Sequence, residues 1–245
     1  MAKPTLVLAS HPAGKLTFCI DIGGSGVKAI VIDENQQPVA PRVREKTPSP
    51  ATPDAIFKLI ETFAHDAGHF DRVSVGFPGV VRNGVIHTSA NLDKKWIGFD
   101  IDRELEKLLK RPVRAANDAA IQGLGAVSGK GLEMMITLGT GVGGALYKDG
   151  FLVAGVEIAH HEFEKGKTYE EWLGNKSLDK LGKKKWNKLL RKAIGNWERL
   201  FNYDRLFLGG GNAEHIKFDL PSNVKLSSNQ EGLYGGLGLW REHSV

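Results

Sequence analysis

The chain has 245 residues, of which 41% are hydrophobic and 25% charged, and this composition excludes a largely disordered protein. Its only cysteine, Cys19, excludes an intramolecular disulfide and argues against a cysteine-based zinc site, while a net charge of +5 favours anionic partners such as phosphates. No apolar run suits a signal peptide or a membrane span, so we expect a cytoplasmic protein that does not bind membranes.

Strands and helices alternate along the first half of the chain, which is typical of an α/β protein. Residues 1–14 are predicted to form a loose tail. FCIDIGG and VKAIVIDE are predicted strands joined by a glycine turn, and VAPRVREK is a candidate third strand. A helix follows, capped by Thr52 or Asp54 and with a predicted apolar stripe of Ile56, Leu59, Ile60 and Phe63. The remaining predicted elements are the strand RVSVGFPGVV, the helix IDRELEKLLKR, the strand PVRAAN and a helix that starts at Asp118.

The second half repeats the layout of the opening. MMITLGTGVGGALYKDGFLVAG has the pattern of strand, glycine turn, strand, turn and strand, and RLFLGGG is a further strand with a glycine cluster. The repeat predicts two related lobes, at residues 15–115 and 116–230, each offering a glycine turn to a shared central cleft. The segment from Lys165 to Phe201 is predicted to be helical, and a short helix at about residues 231–245 is expected to pack back on the first lobe.

The glycine turns indicate phosphate binding, because glycine lets several backbone N–H groups approach a phosphate closely. Asp21 would then hold Mg²⁺ beside the phosphates, directly or through water. A plain hairpin turn explains either turn alone, but two turns and a third glycine cluster together favour phosphate. The candidate phosphate-binding residues are Gly23, Gly24, Ser25 and Gly26 in the first turn and Thr140, Gly141 and Gly143 in the second; the third cluster is Gly209, Gly210 and Gly211.

Two other phosphate motifs fit the sequence poorly. The P-loop pattern G-x-x-x-x-G-K-[ST] is absent. GTGVGG matches the dinucleotide pattern G-x-G-x-x-G, but that pattern needs a helix directly after the glycines, whereas ALYKDGFLV is predicted to be a strand. A Rossmann dehydrogenase is therefore disfavoured.

Seven segments occur in the order seen in the ROK family of sugar kinases, which the chain resembles from Phe18 to its end. They are CIDIGGSGVK, VGFPGVV, SANLDKKW, AANDAA, LGTGVGG, VEIAHHEF and LGGGN. The stretch FPGVVRNGVIHTSANLDKKWIGFD, with YEEW and RLFLGGG after it, is most similar to the polyphosphate glucokinases of that family. The resemblance implies the two-lobed actin/hexokinase/Hsp70-like fold, which is ribonuclease H-like, and a homodimer.

The resemblance also implies a reaction, the transfer of a phosphoryl group from ATP or inorganic polyphosphate to the 6-hydroxyl of glucose. Asp118 matches the catalytic base of the family's Asn-Asp motif, and the amide of Asn117 suits sugar hydroxyls. An acid at the start of a helix is also an ordinary cap. We interpret Asp118 as the base because the other motifs accompany it, and we assign the cluster Gly209–Gly211 to the nucleotide or other donor.

Three further residues are candidate sugar ligands by the same resemblance. Asn91 matches a sugar-side asparagine of some relatives, and Glu157 and His160 match the family's Glu-x-Gly-His, although each also suits a turn or a solvated surface. Ala159 replaces the glycine of that motif and would be strained if its φ were positive. The cysteine-rich zinc motif of many members is missing, so no zinc is expected.

The tract from Lys165 to Lys192 holds nine lysines and Arg191, and its basic face has two explanations. It is either a solvated surface or a track for polyphosphate. Nucleic acid is disfavoured, because no helix-turn-helix segment precedes the first glycine turn and the aromatic residues lie on the apolar side. The predicted apolar stripe is Trp186, Leu189, Leu190, Ala193, Ile194, Trp197, Leu200 and Phe201; the basic face is Lys184, Lys185, Lys188, Arg191 and Lys192.

Two rival functions stay open at this point. A non-catalytic sensor of sugar or polyphosphate could use the same fold; Ala159 counts for it, and the intact Asp21 and Asp118 count against it. Within the enzyme class, the rival is an ATP-only kinase acting on another hexose. The sequence does not decide between polyphosphate and ATP as the donor.

Overall fold

The computed structural model describes residues 14–89, 92–227 and 231–241. The chain divides into two compact units, of which the first ends at Ala115 and the second begins at Ala116. No helix among the described residues is long and apolar enough to cross a membrane.

The first unit is built on a five-stranded sheet with the order β3-β2-β1-β4-β7. Strands β1, β2 and β3 form an antiparallel meander, and β4 runs parallel to β1. The strands are β1 (Thr17–Ile22), β2 (Gly26–Ile32), β3 (Val43–Lys46), β4 (Arg72–Phe77), β5 (Val81–Arg82), β6 (Val85–Ile86) and β7 (Val113–Asn117). The helices are α1 (Pro53–Ala67) and α2 (Ile101–Leu109), with a 3-10 turn at Lys94–Trp96.

The core of the first unit lies between one face of the sheet and the helices. The predicted stripe of α1 packs there through Ile56, Ile60 and Phe63 against strand residues such as Phe18. Thr52 is the cap of α1, because its side chain accepts the N–H of Ala55 at 3.3 Å. The predicted apolar stripe of α1 and the cap candidate Thr52 are therefore confirmed.

The second unit repeats the architecture of the first, with a five-stranded sheet in the order β10-β9-β8-β13-β14. An antiparallel meander is again followed by a parallel neighbour, since β13 runs parallel to β8. The strands are β8 (Leu132–Leu138), β9 (Val142–Lys148), β10 (Phe151–Gly155), β11 (Glu162–Glu164), β12 (Lys167–Thr168), β13 (Arg205–Gly209) and β14 (Val224–Leu226). The helices are α3 (Asp118–Ala126), α4 (Tyr169–Leu173), α5 (Asn175–Phe201) and α6 (Glu231–Tyr234), with 3-10 turns at Ile158–His160, Gly211–His215 and Gly235–Trp240.

The segment predicted to be helical from Lys165 onward differs from that expectation at its start and in its interior. The hairpin of β11 and β12 precedes the helices, because Lys165 and Gly166 adopt positive φ and form a tight turn. Helix α5 is broken at Gly182, whose φ is 73°. Most of the predicted stripe is buried, but Leu200 is 61% exposed and does not belong to it.

The C-terminal segment packs on α3 through glycines. A Cβ at Gly235 would meet the carbonyl oxygen of Ile121, and one at Gly238 would meet the side chain of Leu124 at 2.8 Å. Leu233 of this segment is buried. The described part of this segment therefore groups with the second unit, whereas the sequence analysis assigned it to the first lobe.

Asp102 in the first turn of α2 makes the stability of the first unit depend on pH. Burial raises the pKa of its carboxyl from 3.8 to about 6, and Asp100 and Glu106 add to the shift. Its Oδ1 is buried and has no hydrogen-bond partner in the described part of the chain. Because the folded pKa is raised, the ionised carboxylate destabilises the fold above about pH 6, and the loss is recovered as pH falls toward 4.

We therefore expect Asp102→Asn to raise the free energy of unfolding at pH 8 by about 1 kcal/mol, a value reduced for the partial exposure of the group. Most of this gain should disappear at pH 4.5, where the wild-type carboxyl is protonated in the folded state. Urea unfolding of both proteins at the two pH values measures the difference. An equal effect at both pH values would contradict the assignment.

Candidate active site

The first glycine turn joins β1 to β2 and is held from two sides. The N–H of Gly23 donates to the carbonyl of Gly26 at 3.0 Å, which closes the turn. From the end of β3, the hydroxyl of Thr47 donates to the carbonyl of Gly23 at 2.5 Å. Neither Gly23 nor Gly26 has a positive φ, so at these two positions the missing side chain matters for space and not for backbone conformation. The structure thus presents this turn as a closed, anchored hairpin.

Asp21, the predicted Mg²⁺ ligand, is paired with a lysine of the neighbouring strand. Asp21 and Lys28 face each other across β1 and β2, and Lys28 Nζ lies 2.8 Å from Asp21 Oδ2. Both side chains are partly exposed, at 26% and 32%. A cation therefore already lies at this carboxylate, and Mg²⁺ would replace or accompany it.

Asn117 and Asp118 lie where β7 ends and α3 begins. Asn117 is the cap of α3, since its Oδ1 accepts the N–H groups of Ala119 at 2.9 Å and Ala120 at 3.3 Å. Asp118 is the first helical residue, its side chain is exposed, and its Oδ1 accepts the N–H of Ala119 at 2.8 Å. The capping role that the sequence left open for Asp118 thus belongs to its neighbour.

Helix α3 is fixed in place next to β9. The hydroxyl of Tyr147 donates to the carbonyl of Ala120 at 2.7 Å, and burial raises the pKa of this phenol far above its ordinary value, so it stays protonated. Gly143 lies in β9 and not in the turn; a Cβ there would come within 2.8 Å of the Cβ of Ala119. The glycine therefore allows the close approach of the strand to the helix that carries Asp118.

The second glycine turn, residues 139–141, carries a carboxylate that was not foreseen. Oε2 of Glu170, in α4, accepts the N–H of Val142 at 3.3 Å and lies where a Cβ of Gly141 would be. The carbonyl of Gly139 accepts the N–H of Asn175, at the start of α5, at 2.9 Å. Thr140 is exposed. A phosphate at this turn would have to displace Glu170 or be accompanied by a cation.

The third glycine cluster lies directly beside the second turn. Gly210 has a φ of 81°, and a Cβ there would overlap the backbone of Leu138, the last residue of β8. Asn212 is buried and its amide donates to the carbonyl of Gly139 at 3.2 Å. A Cβ at Gly211 would meet nothing within 4 Å. The structure therefore brings these two predicted parts of the donor site together, as the parallel pairing of β8 and β13 requires.

Glu157 precedes a single 3-10 turn, and His160 is the last residue of that turn. Oε2 of Glu157 lies 3.7 Å from Nε2 of His160, and both side chains are largely exposed. Ala159 between them is buried in the turn and has no positive φ, so its replacement of glycine causes no backbone strain. The strain that the sequence analysis considered for Ala159 is absent.

The basic face of α5 is only partly available to a ligand. Lys192 Nζ lies 3.2 Å from Oε2 of Glu164, and the guanidinium of Arg191 stacks on Phe218 at 4.8 Å from the ring centroid. Lys184, Lys185 and Lys188 are exposed and have no ion-pair partner among the described residues. The predicted face of five cations is therefore reduced to three unengaged lysines.

The structure brings several of the predicted site residues of the second unit close together. Within the second unit, Gly144 of β9 accepts the N–H of Val156 at 2.8 Å, which holds the loop of Glu157 against the strand that also contacts α3. Asn91 lies outside the described residues. No group of three or more histidine, cysteine or acidic residues suited to a metal occurs within the described ranges.

Two residues missed by sequence reasoning, Thr47 and Glu170, contact the turns from far along the chain. Thr47 follows β3 directly, so the register of a correctly predicted third strand would have suggested it. Lys28, which the sequence placed on the returning strand, could have been paired with Asp21 from the hairpin register alone.

Comparison with known proteins gives consistent matches. A model of the ROK family matches residues 17–165. The polyphosphate glucokinase of Mycobacterium tuberculosis (strain CDC 1551 / Oshkosh) is 35% identical over 204 residues, which are 79% of this chain and 77% of that protein. The crystal structure of inorganic polyphosphate/ATP-glucomannokinase from Arthrobacter sp. strain KM is 31% identical, with a TM-score of 0.80 over 91% of this chain and 97% of that chain.

A more distant structure shows the shared fold alone. It is a ROK family glucokinase from Streptomyces griseus in complex with glucose and AMPPNP, which is 18% identical to this chain. Its TM-score is 0.71, and the match covers 91% of this chain and 98% of that chain.

Proposed function

The chain belongs to the ROK family and has its actin/hexokinase-like fold, and from this premise we propose that it is a glucokinase. It would transfer a phosphoryl group from inorganic polyphosphate, ATP or both to the 6-hydroxyl of glucose. The observation that carries the proposal is the exposed carboxylate of Asp118 at the positive end of α3, a helix that is capped by Asn117. The chain that presents this carboxylate is 35% identical to a polyphosphate glucokinase.

Asp118 acts as the general base. Its carboxylate accepts the proton of the 6-hydroxyl while that oxygen forms its bond to the terminal phosphorus, and the bond from phosphorus to the rest of the donor breaks. The products are glucose 6-phosphate and either ADP or a polyphosphate shorter by one unit. Because Asn117 supplies the cap, the Asp118 side chain does not have to cap the helix and can orient the hydroxyl.

The sugar is held by polar side chains of the second unit in this proposal. Glu157 accepts hydrogen bonds from neighbouring hydroxyls, and His160 donates one. Both side chains are exposed and lie on one turn, which suits a ligand that arrives from solvent. Asn91 stays a candidate for the same role.

Mg²⁺ fits the first unit only as an ion shared with the donor. Asp21 offers one partly exposed carboxylate, and Mg²⁺ in kinases is commonly held by one or two carboxylates together with substrate phosphates. When bound, the ion neutralises charge on the transferred phosphates. The turn from Gly23 to Gly26, including Gly24 and Ser25, would contact the phosphates, and Thr140, Gly141 and Gly209–Gly211 would contact the rest of the donor.

The test compares donors. Glucose 6-phosphate formation is measured with Mg²⁺ and either long-chain polyphosphate or ATP at equal phosphoryl concentration. Product with polyphosphate that declines as salt rises supports the polyphosphate-dependent enzyme, since a polyanion binds through counterion release. Product with ATP alone supports the kinase activity and excludes polyphosphate as its donor. Absence of product with both donors across a panel of hexoses overturns the proposal.

Three finer features belong to the same proposal. Lys184, Lys185 and Lys188 on α5 are candidates for contact with polyphosphate, whereas Arg191 and Lys192 are engaged within the chain. The family resemblance supports a homodimer, and the single cysteine suits a reducing cytoplasm. The non-catalytic sensor loses its one favouring observation, because Ala159 is accommodated without strain.

A further inference from the structure

The edge strand β3 of the first unit carries cations on one of its faces. Alternate residues of a strand face the same side of the sheet, so Arg44 and Lys46 share a face, and Arg42 continues the same spacing just before the strand. All three side chains are exposed. We call these residues the β3 cation row. From Arg42 to Lys46 it spans about 13 Å at roughly 3.3 Å per residue.

The β3 cation row ends at the first glycine turn. Arg44 is the register partner of Lys28, and Lys46 is the partner of Gly26. The guanidinium of Arg44 lies beside Gly26, because a Cβ at Gly26 would come within 3.1 Å of Arg44 Nε. The absence of a side chain at Gly26 therefore makes room for a cation at the turn.

The charges of the row are not balanced within the described part of the chain. Arg42, Arg44 and Lys46 have no carboxylate within 4 Å, whereas Lys28 is paired with Asp21. Glu45 alternates to the opposite face of the strand. A line of unpaired cations repels itself and attracts a linear chain of negative charges.

We infer that the β3 cation row binds inorganic polyphosphate as an extended chain whose end reaches the first glycine turn. This rests on the proposed function, because it places one donor of that reaction on a named surface. Phosphates beyond the turn would lie along the exposed edge of the sheet and contact Lys46, Arg44 and Arg42. A nucleoside triphosphate is too short to use the whole row, so the row favours the long-chain donor.

Charged residues on an edge strand also have an ordinary role, which is to prevent pairing with other strands. That role needs charge of either sign. Reversal of the charge therefore separates the two explanations: Arg44→Glu with Lys46→Glu keeps the edge charged but repels a polyanion.

The experiment measures binding of long-chain polyphosphate to the full chain by fluorescence anisotropy at several salt concentrations, without sugar. The double variant is compared with Lys58→Glu plus Lys225→Glu, which changes the net charge equally. Lys58 is exposed on α1, and Lys225 is exposed on the other edge strand, β14. We expect the double variant of the row to weaken binding at least tenfold and to reduce the slope of log K against log salt by about 2, whereas the control changes binding by less than threefold.

Equal weakening in both variants, or no binding of polyphosphate by the wild type, overturns the inference. Loss of binding that accompanies aggregation in light scattering would also overturn it, in favour of edge protection. Glucose phosphorylation is assayed in parallel on the wild type. If the row variant selectively loses polyphosphate binding while the wild type phosphorylates no hexose, the inference about the row stands and the proposed function is wrong. If the wild type phosphorylates glucose while the row variant and the control bind polyphosphate equally well, the inference about the row alone is wrong.

Discussion

Replacement of Asp118 by Asn should reduce kcat for glucose phosphorylation by about 10²- to 10⁴-fold with either donor, since a neutral amide cannot accept the proton of the hydroxyl. The fold should not change. Asn117 caps α3 in both proteins, and the amide oxygen of the new residue can still accept the N–H of Ala119. Glucose binding should therefore stay within a few-fold of the wild type, as measured by calorimetry.

Asp54→Asn provides the matched control for this substitution. Asp54 is also an exposed acid in the first turn of a helix that another residue caps, since Thr52 caps α1 and Asn117 caps α3. Both variants therefore lose the same favourable interaction with a helix N-terminus. The control should keep near-normal kcat. If Asp118→Asn also keeps near-normal kcat, Asp118 is not the base. If both variants lose glucose binding, the loss comes from general charge effects.

Gly210→Ala should lower the free energy of unfolding by about 2 to 4 kcal/mol. The left-handed φ of 81° disfavours any residue with a Cβ, and that Cβ would overlap the backbone of Leu138, which is the end of a central strand and cannot shift freely. Donor binding should weaken as well, because the second glycine turn begins at Gly139, directly after Leu138.

Gly211→Ala is the control, because its φ is not positive and its Cβ would meet nothing within 4 Å. We expect a change within about 0.5 kcal/mol in urea unfolding. Comparable losses in the two variants would mean that the cluster is sensitive to added volume in general and that the backbone of Gly210 has no special role. A stable Gly211→Ala protein with weak donor binding would support contact of Gly211 with the donor.

The fold was predictable because its signals are local. The repeated pattern of strand, glycine turn and strand predicted two related sheets, and the structure has two sheets whose strand orders correspond. The cap Thr52 and the stripe of α1 follow from neighbouring residues in the sequence. The helix start at Asp118 was also predicted, although the choice of cap between two adjacent polar residues depends on backbone angles that a sequence does not give.

The contacts around the glycine turns were less predictable because they depend on register and on distant segments. Glu170 reaches Val142 across 28 positions, and no pattern near the turn announces it. Lys192 was counted as a free cation because Glu164 is distant in sequence and approaches only through the hairpin of β11 and β12. The strain considered for Ala159 would arise only if its φ were positive, a backbone angle that the sequence does not give, and the φ in this chain is not positive.

The break at Gly182 has a consequence for the balance between stability and activity. It makes Lys183, Lys184 and Lys185 the opening residues of a new helical segment, where the macrodipole is positive and like charge is unfavourable. Three adjacent lysines at that point cost the protein stability that acidic or neutral residues would restore. Replacement of these lysines by acidic or neutral residues would stabilise the helical segment. The same replacements would remove positive charge that attracts anions.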